Sequence, residues 1–511
     1  MNKRTSLLIL ALFSMAAYGL STVMFNDLSY EMAASIGFSI DEMSQVKVGF
    51  TIFQVLGLLL TPLLIRLWGT SRALLISLLV GLFANLALAM APSNELIFII
   101  AWLASGFMLS VLLAVVNLLV LNDFAARVLP VIIALMLIFT TLLPLGGYPW
   151  LTAELLESFS WSLFSMVLTW LFFAALVISC VFPPKPLQIE LQPKSSLVVY
   201  LFIASAISLI VFLLMRGDYY NWLDSVLYSE LTVIAVILSL SAIYLLVRTR
   251  GKRRSAAMQL HSQLKINVFM YNAFLAGFAV SGSTILFSNF LGKVLNYNSL
   301  NAGYAYLPSF YAMLAGMILS VLVFCYRRPL SDAVVPFGVV MILLSVYTFS
   351  QLPSNVDPES LLRPMLLRGF GIGLLNVSVT ISVLMHFKVD QRIEGICNFY
   401  LFRTMGSLIG GAFFSRVIQN QSAQAAGEIG RTLDAASRGF RFYQQALGDA
   451  ILTQGHLSTF PIEMGQITNR VTEQATTLAL NNTLIVFILS IFALAPILLI
   501  GKKLAEKQST T

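Results

Sequence analysis

The sequence predicts an all-α integral membrane protein, and three observations lead there. Of its 511 residues, 58% are apolar and 11% are charged, more greasy surface than one soluble core could hide. A window of about 19 residues finds roughly fourteen apolar runs, each long enough to cross a hydrocarbon core about 30 Å thick. Lys and Arg gather in alternate loops between the runs, the asymmetry of a multiply threaded chain. Lipid offers no partner to free backbone groups, and the runs far exceed a barrel strand, so each is expected to be a helix.

The runs start near Ser6, Val46, Arg72, Glu95, Val128, Ser162, Ser196, Ser225, Ile266, Asn301, Ala333, Leu361, Glu394 and Thr477. The first, "MNKRTSLLILALFSMAAYG", has the basic start, apolar centre and small residues of a secretory signal, but the charge pattern works only if it stays as a span. One set of loops holds Lys3 and Arg4, Arg66 and Arg72, Arg127, Lys185 and Lys194, "RTRGKRR" at 248–254, Arg327 and Arg328, Lys388 and Arg392, and the tail Lys502, Lys503 and Lys507. This set is expected on the cytoplasmic side together with both termini. The other set, with "SYEMAASIGFSIDE", "PSNE", "TAELLES" and "PSNVDPES", is poor in basic residues. The net charge of +8 therefore reports topology rather than a nucleic-acid partner.

Cys180, Cys325 and Cys397 lie within or at the ends of apolar runs with no metal-like spacing, so neither a disulfide framework nor a zinc site is expected. None of the three histidines pairs with a second ligand at helical spacing, and there is no nucleotide loop, nucleophile elbow or His/Glu metal motif. ATP hydrolysis, metal chemistry and cofactor binding are therefore not expected. A membrane-embedded enzyme would need convergent acid, base or metal groups that the sequence does not offer.

The longest polar stretch on the basic side, Arg248 to Lys265, divides the chain. Six runs precede Pro183, two follow, and six come after Lys265. The expected plan is an amino-terminal bundle over 1–183, two additional spans with a basic loop over 184–264, and a carboxy-terminal bundle over 265–511. Transporters built from repeated bundles bind substrate near the bilayer midplane and move one half against the other.

Several stretches within this plan share a pattern. "TTLLPLGGYPWLTAELLESFSWSLF" places a Pro and a Gly-Gly pair before a loop ending in Ser-Trp; "LNYNSLNAGYAYLP" leads into the tenth run; "RGFGIGLLNVSVT" from Arg368 and "NFYLFRTMGSLIGG" from Asn398 mark the twelfth and thirteenth. Together they resemble the fourteen-helix drug:proton antiporter branch of the major facilitator superfamily, the branch of EmrB-like multidrug exporters, over nearly the whole chain. The resemblance implies two six-helix bundles plus two extra central helices, proton-driven export of small amphipathic compounds from a bacterial cytoplasmic membrane, and a periplasmic adaptor protein as a partner.

Pro144, Gly146, Gly147 and Trp161 fall on that family's fifth-span motif. Proline removes an intrahelical hydrogen bond and glycines admit a neighbouring backbone, which suits a pivot or gate; a helix ending early before Pro149 fits the same letters. Gly369, Gly371 and Gly373, and likewise Gly406 and Gly410, give small faces for close helix packing or for substrate contact. Arg403 lies about nine residues inside its run, roughly 13 Å deep, and Arg368 about seven. Such residues face a watery cavity or an internal partner, or pin carbonyls structurally. Arg403 also matches the family's arginine.

Departures from the family pattern matter as much. Asn26 stands on the first-span asparagine, but Ser21 occupies the expected aspartate position, and Trp102 and Ser105 stand where Arg and Gln are usual. Proton coupling would then need another carboxylate: Asp27 and Glu31 at the end of the first span, or Glu230 about five residues into the eighth, each of which also reads as a solvated interfacial group. Asn376 and Asn398 could line the path without titrating. Two buried arginines against scarce acids also set an anionic metabolite, such as a siderophore, in competition with the cationic drugs that the resemblance first suggests. Loss of the polar handles also leaves open a non-transporting membrane sensor. The remaining large piece, 421–476, reads as two amphipathic helices separated by Pro461, either a solvated hairpin or the dock for the adaptor.

Overall fold

The computed structural model describes residues 3–185, 197–249, 264–326, 331–352, 356–432, 441–442, 445 and 460–510. Among these there is no β-strand. The chain is α1 (Lys3–Asp27), α2 (Ser29–Ile36), α3 (Ile40–Trp68), α4 (Thr70–Met90), α5 (Glu95–Asp123), α6 (Leu129–Leu137), a π-helical stretch (Ile138–Gly147), α7 (Tyr148–Leu156), α8 (Ser162–Val181), α9 (Leu197–Arg216) and α10 (Val226–Thr249). It continues as α11 (Leu264–Asn289) with a π turn (Phe290–Val294), α12 (Ser299–Tyr326), α13 (Ser331–Ser350), α14 (Pro358–Leu384), α15 (Arg392–Thr432) and α16 (Phe460–Thr510). Twelve helices among the described residues are long and apolar enough to cross a membrane. The apolar part of α13, Val334–Ser350, is shorter, and α15 is more polar; both pack among the other helices.

Local chemistry sets the helix ends. Ser39 caps α3 reciprocally: its hydroxyl accepts from the Glu42 amide at 3.2 Å and the Glu42 carboxylate accepts from the Ser39 amide at 2.8 Å, which satisfies donors the first turn would otherwise leave bare. Asn94 does the same for α5, accepting from the Ile97 amide at 3.0 Å. Gly37, at φ 88°, closes α2 in the left-handed region that residues with a Cβ avoid.

Helices α1, α3, α4, α5, α6 to α7 and α8 pack on one another, and α11 to α16 form a second group. The pair α9 and α10 pack together, with α9 leaning on both α3 and α15. Arg216, at the end of α9, fixes that lean through an ion pair to Asp41 at 2.7 Å and a bond to the Ser44 hydroxyl at 3.2 Å.

Two expectations change. Residues Gln421 to Thr432 do not begin a separate amphipathic helix but continue α15, and the second expected helix starts at Phe460 with Pro461 in its first turn. Alanine and glutamine keep helical propensity high past the apolar part, so α15 runs unbroken for 41 residues, roughly 60 Å or twice the hydrocarbon thickness. An Asn482 amide to the Gln421 side chain, 3.2 Å, ties the two long helices together. The rest of the 421–476 segment lies largely outside the described residues, as do Lys194, Arg327, Arg328 and most of "RTRGKRR". The second change concerns the fifth run, which does not end at Pro149. It passes through the π stretch containing Pro144, and Pro149 sits in the first turn of α7, where its missing N–H is harmless.

Glycines let backbones touch where a side chain would hold them apart. A Cβ on Gly369 would lie 2.0 Å from the Ser309 carbonyl oxygen, on Gly373 2.2 Å from that of Met313, and on Gly371 2.7 Å from that of Gly338, so α14 is clamped between α12 and α13. Gly406 and Gly410 do the same for α15 against α11, facing the Phe274 and Phe278 carbonyls at 2.0 and 2.8 Å. Gly373→Val is expected to cost about 1–3 kcal/mol or force a repacking, read as a lower melting temperature in detergent. Gly427→Ala, with nothing within 4 Å of the added Cβ, is expected to leave it unchanged; equal melting of both variants would refute this packing.

Candidate functional site

The helices converge on Arg403. From α15 its Nη2 donates to the Asn376 side-chain oxygen of α14 at 2.9 Å and reaches the Thr141 hydroxyl of the π stretch at 3.5 Å. Asn376 belongs to the carboxy-terminal group of helices and Thr141 to the amino-terminal one, so a single guanidinium joins the two. Tyr18 of α1 and Tyr400 lie within electrostatic reach, and Asn117 of α5 stands beside the Tyr400 hydroxyl. Arg403 is half-buried, whereas Asn376 is sealed. Its backbone can sit this deep because α11 offers Gly277, where a Cβ would fall 2.2 Å from the Arg403 carbonyl oxygen.

Arg368 is different. It is wholly buried, donates to the Thr284 hydroxyl at 2.7 Å, and stacks over Phe287 and Tyr306 at 5.2 and 5.9 Å from the ring centroids. Its Nε and Nη1 find no partner among the described residues. All three contacts come from α11 and α12, so Arg368 braces the carboxy-terminal group and does not line the seam.

The amino-terminal side of the seam is aromatic where polar groups were expected. Trp102, 1% exposed, packs edge-on to Phe25 at 4.4 Å and to Phe50 at 5.5 Å, and those two phenyl rings stack at 5.1 Å. The hydroxyls of Ser21 and Ser105 are buried without partners. Asn26 donates to the Thr22 carbonyl at 3.1 Å and is exposed. Asp27, also solvent-accessible at the end of α1, is in electrostatic reach of Lys47 on α3 and of Tyr306 across the seam. Glu31 is exposed on α2, Glu230 is exposed on α10 away from the seam, and Asn398 is half-buried on α15.

Both ends of the seam are closed. At the end that carries the basic loops, Arg66 of α3 pairs with Glu394 of α15, both largely buried, and Arg392 donates to the Leu121 carbonyl at 2.9 Å and to the Asn122 side chain. At the opposite end a Cβ on Gly303 would lie 2.7 Å from the Trp150 Cα, and Tyr304 donates to Glu154 at 3.2 Å. Gly146 sits against Phe310 and Met313 of α12, and Gly147 near Phe310, where Pro144 has already loosened the helix. Clefts of about 400 and 430 Å³ lie elsewhere, one between α12 and α14 and the other beneath the α9–α10 link. The polar cluster is thus occluded from both faces.

This arrangement matches a known architecture. The model of the Major Facilitator Superfamily fits residues 7–414. The chain belongs to that superfamily. Superfamily members are transporters, and the chain is a multi-pass membrane protein of this transporter class. Its fold is similar to that of the human organic anion transporter MFSD10, with a TM-score of 0.58 at 12% identity over 97% of this chain and 100% of that one. It is also similar to a bacterial homologue of the human lysosomal transporter Spinster (0.52, 12%, 98% and 97%) and to a peptide transporter, POT (0.54, 14%, 97% and 94%). At these identities the likeness shows the fold alone. No curated protein matches the chain by sequence.

The sequence pointed to Arg403 and Asn376 but not to their company. Tyr18 and Asn117 lie inside apolar runs with no motif to mark them, Thr141 stands at the head of the stretch quoted for Pro144 but was not singled out in it, and Tyr400 carried a signal only in its position three residues before Arg403. Glu394 read as a span start, and only the structure sets it against Arg66. Breaking that buried pair by Glu394→Gln leaves a buried guanidinium unpaired, and the basic end is expected to open. Cys397, 3% exposed one turn further along α15, is the reporter: with Cys180 and Cys325 changed to Ser, maleimide labelling should rise several-fold. Unchanged labelling would mean that the pair does not hold this end shut.

Proposed function

We propose that the chain is a secondary active exporter in a bacterial cytoplasmic membrane, a fourteen-span member of the EmrB-like drug:proton antiporter branch, moving small amphipathic compounds outward by alternating access. The observation that carries this reading is the Arg403 cluster, an occluded polar site built jointly by the two helical groups. A site shared in this way changes its exposure when one group tilts on the other. The six-two-six division at 183 and 264, with both termini cytoplasmic, places the Arg66–Glu394 closure inside and the α7–α12 contacts outside. The π stretch around Pro144 and the Gly146–Phe310 contact supply the pivot.

Coupling to protons falls to Asp27. It is the candidate carboxylate that faces the other group of helices, while Glu31 and Glu230 do not, and Ser21 has left the usual position empty of charge. The joined ends of α15 and α16 offer the surface for a periplasmic adaptor. Nothing in the arrangement supplies the convergent acid, base and electrophile of an enzyme.

In inverted vesicles, uptake of an amphipathic fluorescent dye should follow the pH gradient and stop when the gradient is collapsed. Arg403→Ala should cut that uptake at least about tenfold, the loss expected for about 1.4 kcal/mol or more of binding, with the variant still in the membrane. Asp27→Asn should abolish gradient-driven uptake and retain downhill exchange. Full gradient-driven uptake by either variant would remove that residue from the mechanism.

A further inference from the structure

We infer that the occluded site receives an organic anion, its carboxylate held on the Arg403 guanidinium. Charge bookkeeping is the first ground. The ion pairs among the described residues are Arg66–Glu394, Arg216–Asp41 and Arg470–Glu473, so no carboxylate pairs with Arg403. The groups that hold it, Asn376 and Thr141, are neutral. Asp27, on the amino-terminal side, has Lys47 and Glu31 within electrostatic reach, and neither acid is among the groups that act on Arg403. Arg403 therefore has no carboxylate partner of its own among the described residues.

The second ground is geometry. Both contacts of Arg403 use Nη2. Its Nε and Nη1 make no hydrogen bond among the described residues, and unlike those of Arg368 they are not sealed off. A guanidinium offers a carboxylate two forks, Nε with Nη2 and Nη1 with Nη2, and the long 3.5 Å reach to Thr141 is the contact an arriving carboxylate would replace to complete one of them. Beside it, Asn376 turns its oxygen to Arg403 and leaves Nδ2 buried and without a partner. A sealed amide donor with nothing to donate to is costly, and an anionic oxygen at the guanidinium edge is the acceptor it lacks. Tyr18 and Tyr400 bring two hydroxyls within electrostatic reach of the same guanidinium.

The consequence reaches into the transport cycle, and this part alone rests on the exporter reading. Closing the seam around a bare guanidinium is expensive in a low-dielectric setting, whereas closing it around a guanidinium and carboxylate is less so. The anion is therefore both cargo and the group that permits closure.

The test compares three probes of one shape on the purified full chain in detergent: 2-naphthoate, 2-naphthamide and 2-naphthylmethylamine. Binding followed by quenching of intrinsic fluorescence should favour the acid over both others by at least about tenfold, as expected for a desolvated charge-assisted pair. Arg403→Gln should erase that preference, and Arg403→Lys should keep part of it, since charge remains and the fork is lost. Equal binding of the three probes by the parent protein, no binding of any, or a preference that survives Arg403→Gln would overturn the inference. Melting temperatures within error of the parent show that the variants are folded, and Arg403→Lys decides the matter if the glutamine variant is not. Because binding needs no gradient, a preserved acid preference without vesicle transport would sink the exporter reading and leave this one standing.

Discussion

A charged guanidinium held in the middle of a greasy bundle is the constraint from which the rest follows. Arg403 cannot be left to lipid, so the chain surrounds it with neutral polar partners drawn from both helical groups. That requirement fixes which faces of α1, α5, α14 and the π stretch must look inward, and it makes the seam polar at one level only. Above and below that level the contacts are of other kinds: a buried ion pair and Arg392 at one end, aromatic and glycine packing at the other. A seam polar in its middle and separable at its ends is what alternating access needs.

Holding that charge in register requires close helices. The glycines of α14 and α15 bring neighbouring carbonyls to distances at which no side chain fits, so the two helices that carry Asn376 and Arg403 cannot slide independently of α11 and α12. The carboxy-terminal group is rigid for this reason, and the buried Arg368, stacked on Phe287 and Tyr306, reinforces it. The amino-terminal side is built by other means. Its Phe25, Phe50 and Trp102 fill the place of charged groups, which moves the polar contribution of that side to Thr141, Tyr18 and Asn117. The α9–α10 pair touches both groups, and Arg216 is its fixed point on α3.

The fold class was legible because it depends on composition and run length, which a sequence states directly. The helical nature, most span starts and the superfamily follow from apolar length and a few glycine-rich phrases. Arg403 was legible because a charge in an apolar run has few excuses. What was not legible were pairings across hundreds of residues: Arg66 with Glu394, Thr141 with Arg403, Asp41 with Arg216. No periodicity encodes which helix faces which. The first helix expected in 421–476 has no start of its own, since good helix formers carry α15 on to Thr432. At Pro149 the letters fitted a pivot or an early helix end alike, because a proline in a first turn starts a helix as readily as it ends one.

The central claim is that one occluded site around Arg403 opens to each face in turn as the two groups of helices tilt. Spin-label distances test it most directly, with one pair at Arg72 and Lys388 beside the Arg66–Glu394 closure and a second at Glu31 and Asn420 at the other end. Moving the purified protein between acidic and alkaline buffer should lengthen one distance distribution while shortening the other. Two distributions that stay fixed, or that widen together, would contradict the account.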